Sequence, residues 1–255
     1  MTATDSQADL LVTGGIVLTM MPKAEPIFDG AVAVAGDRIT AVDRADRFRN
    51  WIVDRTIDAR GGIILPGLVN VHTHAAMTCF RGLADDLPLM TWLNDHIFPA
   101  EAKLDPEKVY AGALLACAEM ILSGTTCFCD MYLFEGAVAR AARDAGMRAV
   151  VGEVLYDFPS PGYGDIEKGF AHTEDLIRIW KEDPLVTIAV EPHSPYLCAP
   201  DLLRRASEIA RKNGVPHVIH LSETQSEVDR IQARYGRRPV AHLADLGVLD
   251  RKSVV

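Results

Sequence analysis

From Ile64 onward the chain alternates strand-like runs with helical ones, and this rhythm leaves few folds open. The strand-like runs are IILPGLVNVHTH, GTTCFCDMY, MRAVVGEVL, LVTIAVEPHSP and VPHVIHLSE. Between them lie PEKVYAGALLACAEMILSG, EGAVARAARDAG, FAHTEDLIRIWKED and APDLLRRASEIARKNG, each with apolar residues at helical spacing. Gly124, Gly146 and Gly214 each follow a predicted helix and precede a predicted strand, as helix-stopping glycines do. Such an order predicts a βα barrel or a doubly wound sheet. Residues 9–64 read differently, as short β-rich runs broken by glycines and charged turns, with no histidine. They predict a small antiparallel β unit that packs and carries no chemistry.

The strand ends carry the chemistry. In HTH the two imidazoles are two residues apart, so on a strand His72 and His74 share one face while Thr73 turns away. That spacing lets both rings converge on one metal ion, although an isolated pair serves equally well as hydrogen-bonded structure. The fourth strand ends in EPHSP, with Glu191 and His193, and the fifth in IHLSE, with His220 and Glu223. In a parallel barrel the C-terminal strand ends face one mouth, where active sites sit. His72, His74, His193, His220 and Glu223 are therefore expected to gather there, which core packing alone does not predict.

Other classes recede. The 255 residues are 49% hydrophobic and 24% charged, a globular composition with a net charge of −9. There is no basic run to bind nucleic acid or an anionic membrane, no signal-like N-terminus and no apolar stretch of membrane-spanning length, so a cytoplasmic setting is expected. Five cysteines, Cys79, Cys117, Cys127, Cys129 and Cys198, predict free thiols. Cys127 and Cys129 share a strand face, but as small buried hydrophobes they are read as structural. No phosphate-binding glycine loop, nucleophile elbow or HExxH helix is present.

PGLVNVHTHAAMTCFRGLADDLPLMTWL, EPHSPYLC and HLSET together resemble the amidohydrolase superfamily. More narrowly they resemble its ATZ/TRZ branch, especially deaminases of 5′-methylthioadenosine and S-adenosylhomocysteine. The resemblance implies a metal-dependent hydrolase on an α/β, TIM-type (β/α)8 barrel with an N-terminal small β-sandwich segment. Residues 1–64 would be part of the small β-sandwich domain and 65–255 the N-terminal portion of the barrel. It implies His72, His74 and His220 as ligands of one divalent metal, zinc or alternatively Fe2+; no lysine in EPHSP suggests a second. It implies Glu223 as the catalytic acid that shuttles a proton and touches substrate, with Glu101 (in IFPAEAKL) and His193 as further substrate-binding groups. The reaction implied is hydrolytic deamination of an adenosine-type nucleoside, a small-molecule partner, with homo-oligomerisation left open.

Near strand three the substrate carboxylate of S-adenosylhomocysteine is expected to meet an arginine, but VVGEVLYDF offers Glu153, which argues against that substrate. A chlorohydrolase or a guanine/cytosine-type deaminase of the same branch is the alternative, and a non-catalytic fragment or scaffold the alternative of another class. Five strands are counted, with SVV as the start of a sixth. The family's strand-six histidine and strand-eight aspartate are not met before Val255, so an incomplete barrel, inactive by itself, is expected.

Overall fold

The computed structural model describes residues 7–249. Its chain divides between Gly67 and Leu68 into two compact units.

The first unit is one five-stranded sheet. Strands β1 (Gln7–Val17), β2 (Ile27–Ala35) and β3 (Arg38–Arg44) form an antiparallel meander. Contrary to a purely antiparallel expectation, β4 (Ile52–Asp58) and β5 (Ile63–Ile64) both run parallel to β1. The reason is the connection: a 3-10 turn at Ala45–Phe48 carries the chain across from β3, so β4 enters beside β1 in the same direction. Gly14 (φ +75°) sits where the β1–β2 register shifts, and a Cβ there would clash with Asp58 Oδ1. Ala8, Ala31, Ala33 and Phe48 form its small core.

The second unit begins with β6 (Leu68–Thr73), which leads through a 3-10 segment, Ala75–Phe80, to α1 (Leu89–Trp92). A π-helical turn at Leu93–Ile97 joins α1 to α2 (Phe98–Glu101). Then come α3 (Pro106–Leu122), β7 (Thr125–Tyr132), α4 (Glu135–Ala145), β8 (Arg148–Leu155), α5 (Ile166–Trp180), β9 (Val186–Ile188) and β10 (Glu191–Pro192). The described chain closes with α6 (Pro200–Asn213), α7 (Gln225–Tyr235) and α8 (Pro239–Asp245). Every strand pair here is parallel. The central strands β7 and β8 are buried on both faces by Phe128, Met131, Val151, Val154 and Leu155, as parallel strands under helices must be. β6 is an edge: Leu68, Val69 and Val71 are 51%, 61% and 74% exposed.

β9 and β10 both pair with β8 and are two pieces of one strand, interrupted at Ala189–Val190. The expected fifth strand is present only as an irregular extended segment. Val190 and His217 form a single parallel bridge, continued by Val218 N to Val190 O at 3.1 Å and His220 N to His193 O at 2.9 Å. Pro216, which has no N–H to give, lies within it and thins the ladder. The SVV run expected to open a sixth strand lies outside the described residues. These parallel strands, each followed by a helix, are the arrangement of a partial (β/α)8 barrel. No helix among the described residues is long and apolar enough to cross a membrane.

A candidate metal centre at the strand ends

β6 delivers His72 and His74 as its pleat requires. Thr73 turns toward β7, where its hydroxyl makes a bifurcated bond to Cys129 O at 2.8 Å and Asp130 Oδ1 at 2.5 Å. The two histidines face the other way, with Nε2 atoms 3.3 Å apart. His220, 148 residues on, places its Nε2 3.2 Å from that of His72. The ligand atoms of all three lie within 4.8 Å of one another, and among the described residues no other group of histidines, cysteines and carboxylates does so.

The rings are held for ligation. His74 Nδ1 lies 2.7 Å from Met131 O and His220 Nδ1 3.2 Å from His193 O. A carbonyl can only accept, so each Nδ1 carries the proton and each Nε2 presents a lone pair. Burial first, and then the neighbouring His74 and His72, push His220 down to about 4, which keeps its ring neutral. These two lone pairs and His72 Nε2, 3.3 Å from His74 Nε2 and 3.2 Å from His220 Nε2, bring three ring nitrogens to one point. Nitrogens at ~2.0–2.1 Å from a tetrahedral zinc stand about 3.3–3.4 Å apart, close to the spacings found for His72. The residues therefore fit a single divalent ion.

The other expected residues surround this cluster. His193 stacks on His220 with ring centroids 4.9 Å apart and bonds Ser194 Oγ at 3.0 Å. Burial, then His220 and His74, push it down to about 3. Glu101, the last residue of α2, is half-buried and faces His74 and the Tyr132 hydroxyl. Burial pushes its carboxyl up, against smaller opposing pulls from these two, although the Tyr132 hydroxyl stops short of a hydrogen bond. Glu223 is exposed and accepts a hydrogen bond from Tyr196 Oη at 3.2 Å.

Two partners of Glu223 were not anticipated. Glu227, only 2% exposed, accepts from Ser222 N at 3.0 Å and Glu223 N at 2.8 Å. Its own N–H donates to Thr224 Oγ1 at 3.2 Å, so Thr224 caps α7 while the Glu227 carboxylate, reaching past the cap, pins the corner where Ser222 takes φ +58°. The signal was legible as TQSE, a T-x-x-E before a helical run. Tyr196, inside EPHSPYLC, carried no such signal. Asp130 was also missed: a carboxylate within an apolar strand demands a partner, but the strand does not say which.

Glu153 is placed differently from expectation. It is wholly buried, accepts from Phe134 N at 3.0 Å and Glu135 N at 2.8 Å, and faces His172 Nε2 at 3.6 Å. It caps α4 and spends both oxygens doing so, so it does not stand opposite a substrate carboxylate. The argument it offered against S-adenosylhomocysteine falls. The five cysteines are free, and burial pushes Cys129 up to about 12, consistent with a structural thiol.

A parallel βα unit with three histidines and a glutamate at its strand ends defines a class, the metal-dependent hydrolases. Residues 63–255 match the model of the amidohydrolase family, and the chain belongs to that family. It is 62% identical over 245 residues to a 5-methylthioadenosine/S-adenosylhomocysteine deaminase of Syntrophobacter fumaroxidans, covering 96% of this chain and 56% of that protein. It is 44% identical over 250 residues to a 5′-deoxyadenosine deaminase of Methanothermobacter thermautotrophicus, covering 96% and 56%. Among solved structures, an adenosine deaminase from Xanthomonas campestris with bound zinc superposes with a TM-score of 0.92 at 40% identity, covering 96% of this chain and 56% of the other. The chain thus spans just over half the length of the relatives it matches, and its barrel fold is theirs.

Proposed function

We propose that the protein is a zinc-dependent aminohydrolase that deaminates an adenosine-type nucleoside, 5′-methylthioadenosine or S-adenosylhomocysteine being the expected substrates. The observation that carries this reading is the convergence of three Nε2 atoms, two of the pairwise distances being 3.3 and 3.2 Å. The deaminase names of relatives at 44–62% identity support the substrate class. A small acidic-surfaced enzyme of this kind is expected in the cytoplasm, with neither nucleic acid nor membrane as partner.

His72, His74 and His220 would hold the ion, and Tyr196 and Glu227 hold Glu223 beside them. When bound, zinc supplies Lewis-acid activation of water near neutral pH. In the net reaction the exocyclic C–N bond breaks and a C–O bond forms at the same ring carbon. Of the water's two protons, one ends on the ring nitrogen and one on departing ammonia. Glu223 carries protons between these atoms, a task suited to an exposed carboxylate tethered at one oxygen by a tyrosine. Glu101 accepts hydrogen bonds from sugar hydroxyls. His193, neutral through burial, offers a hydrogen bond to the purine.

The test is a substrate panel on the zinc-loaded protein extended to the full length of its relatives, since the 255-residue chain alone is expected to be inactive: methylthioadenosine, S-adenosylhomocysteine, adenosine, guanine, cytosine and a chlorotriazine, with ammonia and chloride both followed. Ammonia from a nucleoside is expected. Ammonia from free bases alone, or chloride release, would move the assignment to another member of the branch. No turnover with zinc at the three histidines would identify a non-catalytic scaffold and overturn the reading.

A further inference from the structure

Two successive strand exits in the second unit are pinned by an acid on the next strand. Thr73 of β6 stands opposite Asp130 of β7, and Asp130 Oδ1 accepts from Ala75 N, two residues past Thr73, at 2.6 Å. Tyr132 of β7 stands opposite Glu153 of β8, and Glu153 Oε1 accepts from Phe134 N, two residues past Tyr132, at 3.0 Å. Both acids are wholly buried. The relation is the same, but only the first pin falls beside a residue of the histidine cluster, His74.

Around His74 the pin becomes a lock. The Thr73 hydroxyl donates to Cys129 O at 2.8 Å and to Asp130 Oδ1 at 2.5 Å. Met131 O lies 2.7 Å from His74 Nδ1. Three consecutive residues of β7, 129–131, therefore hold three consecutive residues, 73–75. The ladder by itself does not fix this stretch. Its β6–β7 register shifts between Asn70 and Thr73, so His72 falls in the irregular part, and among the described residues the other side of β6 is an unpaired edge. A slip of one residue would turn both histidines to the opposite face. A buried carboxyl also costs free energy, and Asp130 Oδ2 has no partner to offset it. An apolar residue at this position would avoid that cost but could not hold Thr73 and Ala75.

We propose that Asp130 and Thr73 are positioning residues for the metal centre, locking the register of β6 so that His72 and His74 present their rings together with His220. Thr73 supplies the lock from between the two histidines, and Ala75 N from just beyond the second. The proposal rests on the metal reading above and adds to it the residues that hold the first two ligands in place. Glu153 makes the same kind of bond at the exit of β7, which carries no residue of the cluster, and so serves as a control within the molecule.

Zinc affinity, measured by competition with a chromophoric chelator on the full-length protein, tests the lock. Thr73→Val keeps a strand-forming side chain without the hydroxyl and should weaken binding about 10-fold, while Thr73→Ser, which keeps the hydroxyl, should stay within about twofold of wild type. Asp130→Ala loses both bonds and should weaken binding about 100-fold, the upper end for lost outer partners of metal ligands. Glu153→Ala should leave zinc affinity at the wild-type value, whatever it does to stability. Wild-type affinity in Thr73→Val, or an equal fall in Glu153→Ala and Asp130→Ala, would overturn the lock; where Asp130→Ala does not fold, the Thr73 pair decides. His72→Asn separates the two readings. If it loses zinc while Thr73→Val does not, the lock alone fails. If it binds zinc as wild type does, the metal reading fails and takes the positioning role with it.

Discussion

The two arms of the histidine cluster are held by different means. The first arm, at the end of a regular strand, is braced by side chains: Thr73 and Asp130 tie β6 to β7, and Gly112 lets α3 press against the segment that follows. The second arm, residues 215–223, has no regular strand beneath it and is hung from backbone groups. Val190 N donates to Pro216 O at 2.9 Å, His220 N to His193 O at 2.9 Å, and Glu227 catches the corner at Ser222 and Glu223. In both arms a carbonyl fixes the imidazole tautomer. The difference teaches that a pleated strand needs only to be prevented from sliding, whereas an irregular segment must have each functional residue located separately.

If that contrast is right, chemistry should fail first on the second arm while metal binding survives. Glu223→Gln is expected to lower turnover by ~10²–10⁴-fold, the range for a positioned acid–base group, with zinc affinity unchanged. Kinetics and chelator competition on one preparation check both halves, and a near-normal rate would remove Glu223 from the mechanism. Glu101→Ala, beside the first arm, should reduce kcat/KM for a nucleoside by about 10- to 100-fold, the worth of hydrogen bonds to a charged group. The free base should lose little by comparison, and equal losses on both would make Glu101 a structural residue.

Stability changes should divide along the same line. A Cβ on Gly112 would stand 2.6 Å from Ala76 O and 2.7 Å from Cys79 Sγ. Gly112→Ala should therefore cost about 1–3 kcal/mol in denaturant unfolding and weaken zinc binding with it, because the displaced segment follows His74 directly. Thr224→Ala removes one capping bond and should cost about 1 kcal/mol. It should lower turnover through Glu223 without moving zinc affinity; a fall in zinc affinity would show that the loosened corner reaches back to His220 on the same arm.

How much of this was legible depends on the range of each interaction. The H-x-H face was readable because strand periodicity is local: two residues apart means one side, whatever the strand packs against. The helices, their glycine stops and the capping residues after HLS follow from similarly short-range preferences. Glu223, three residues beyond His220, is singled out by its stretch's resemblance to a family motif. Tertiary structure alone decided what the isolated acids do. Glu153 looked like a group facing substrate and instead caps α4, because its partners, Phe134 N and Glu135 N, come from another turn of the βα repeat. Asp130 and Glu135 are five positions apart in sequence, yet one meets β6 and the other is buried with no hydrogen-bond partner, a choice made by how strands and helices stack. A buried charge must be matched by something, and sequence periodicity says that it is buried without saying which distant residue supplies the match.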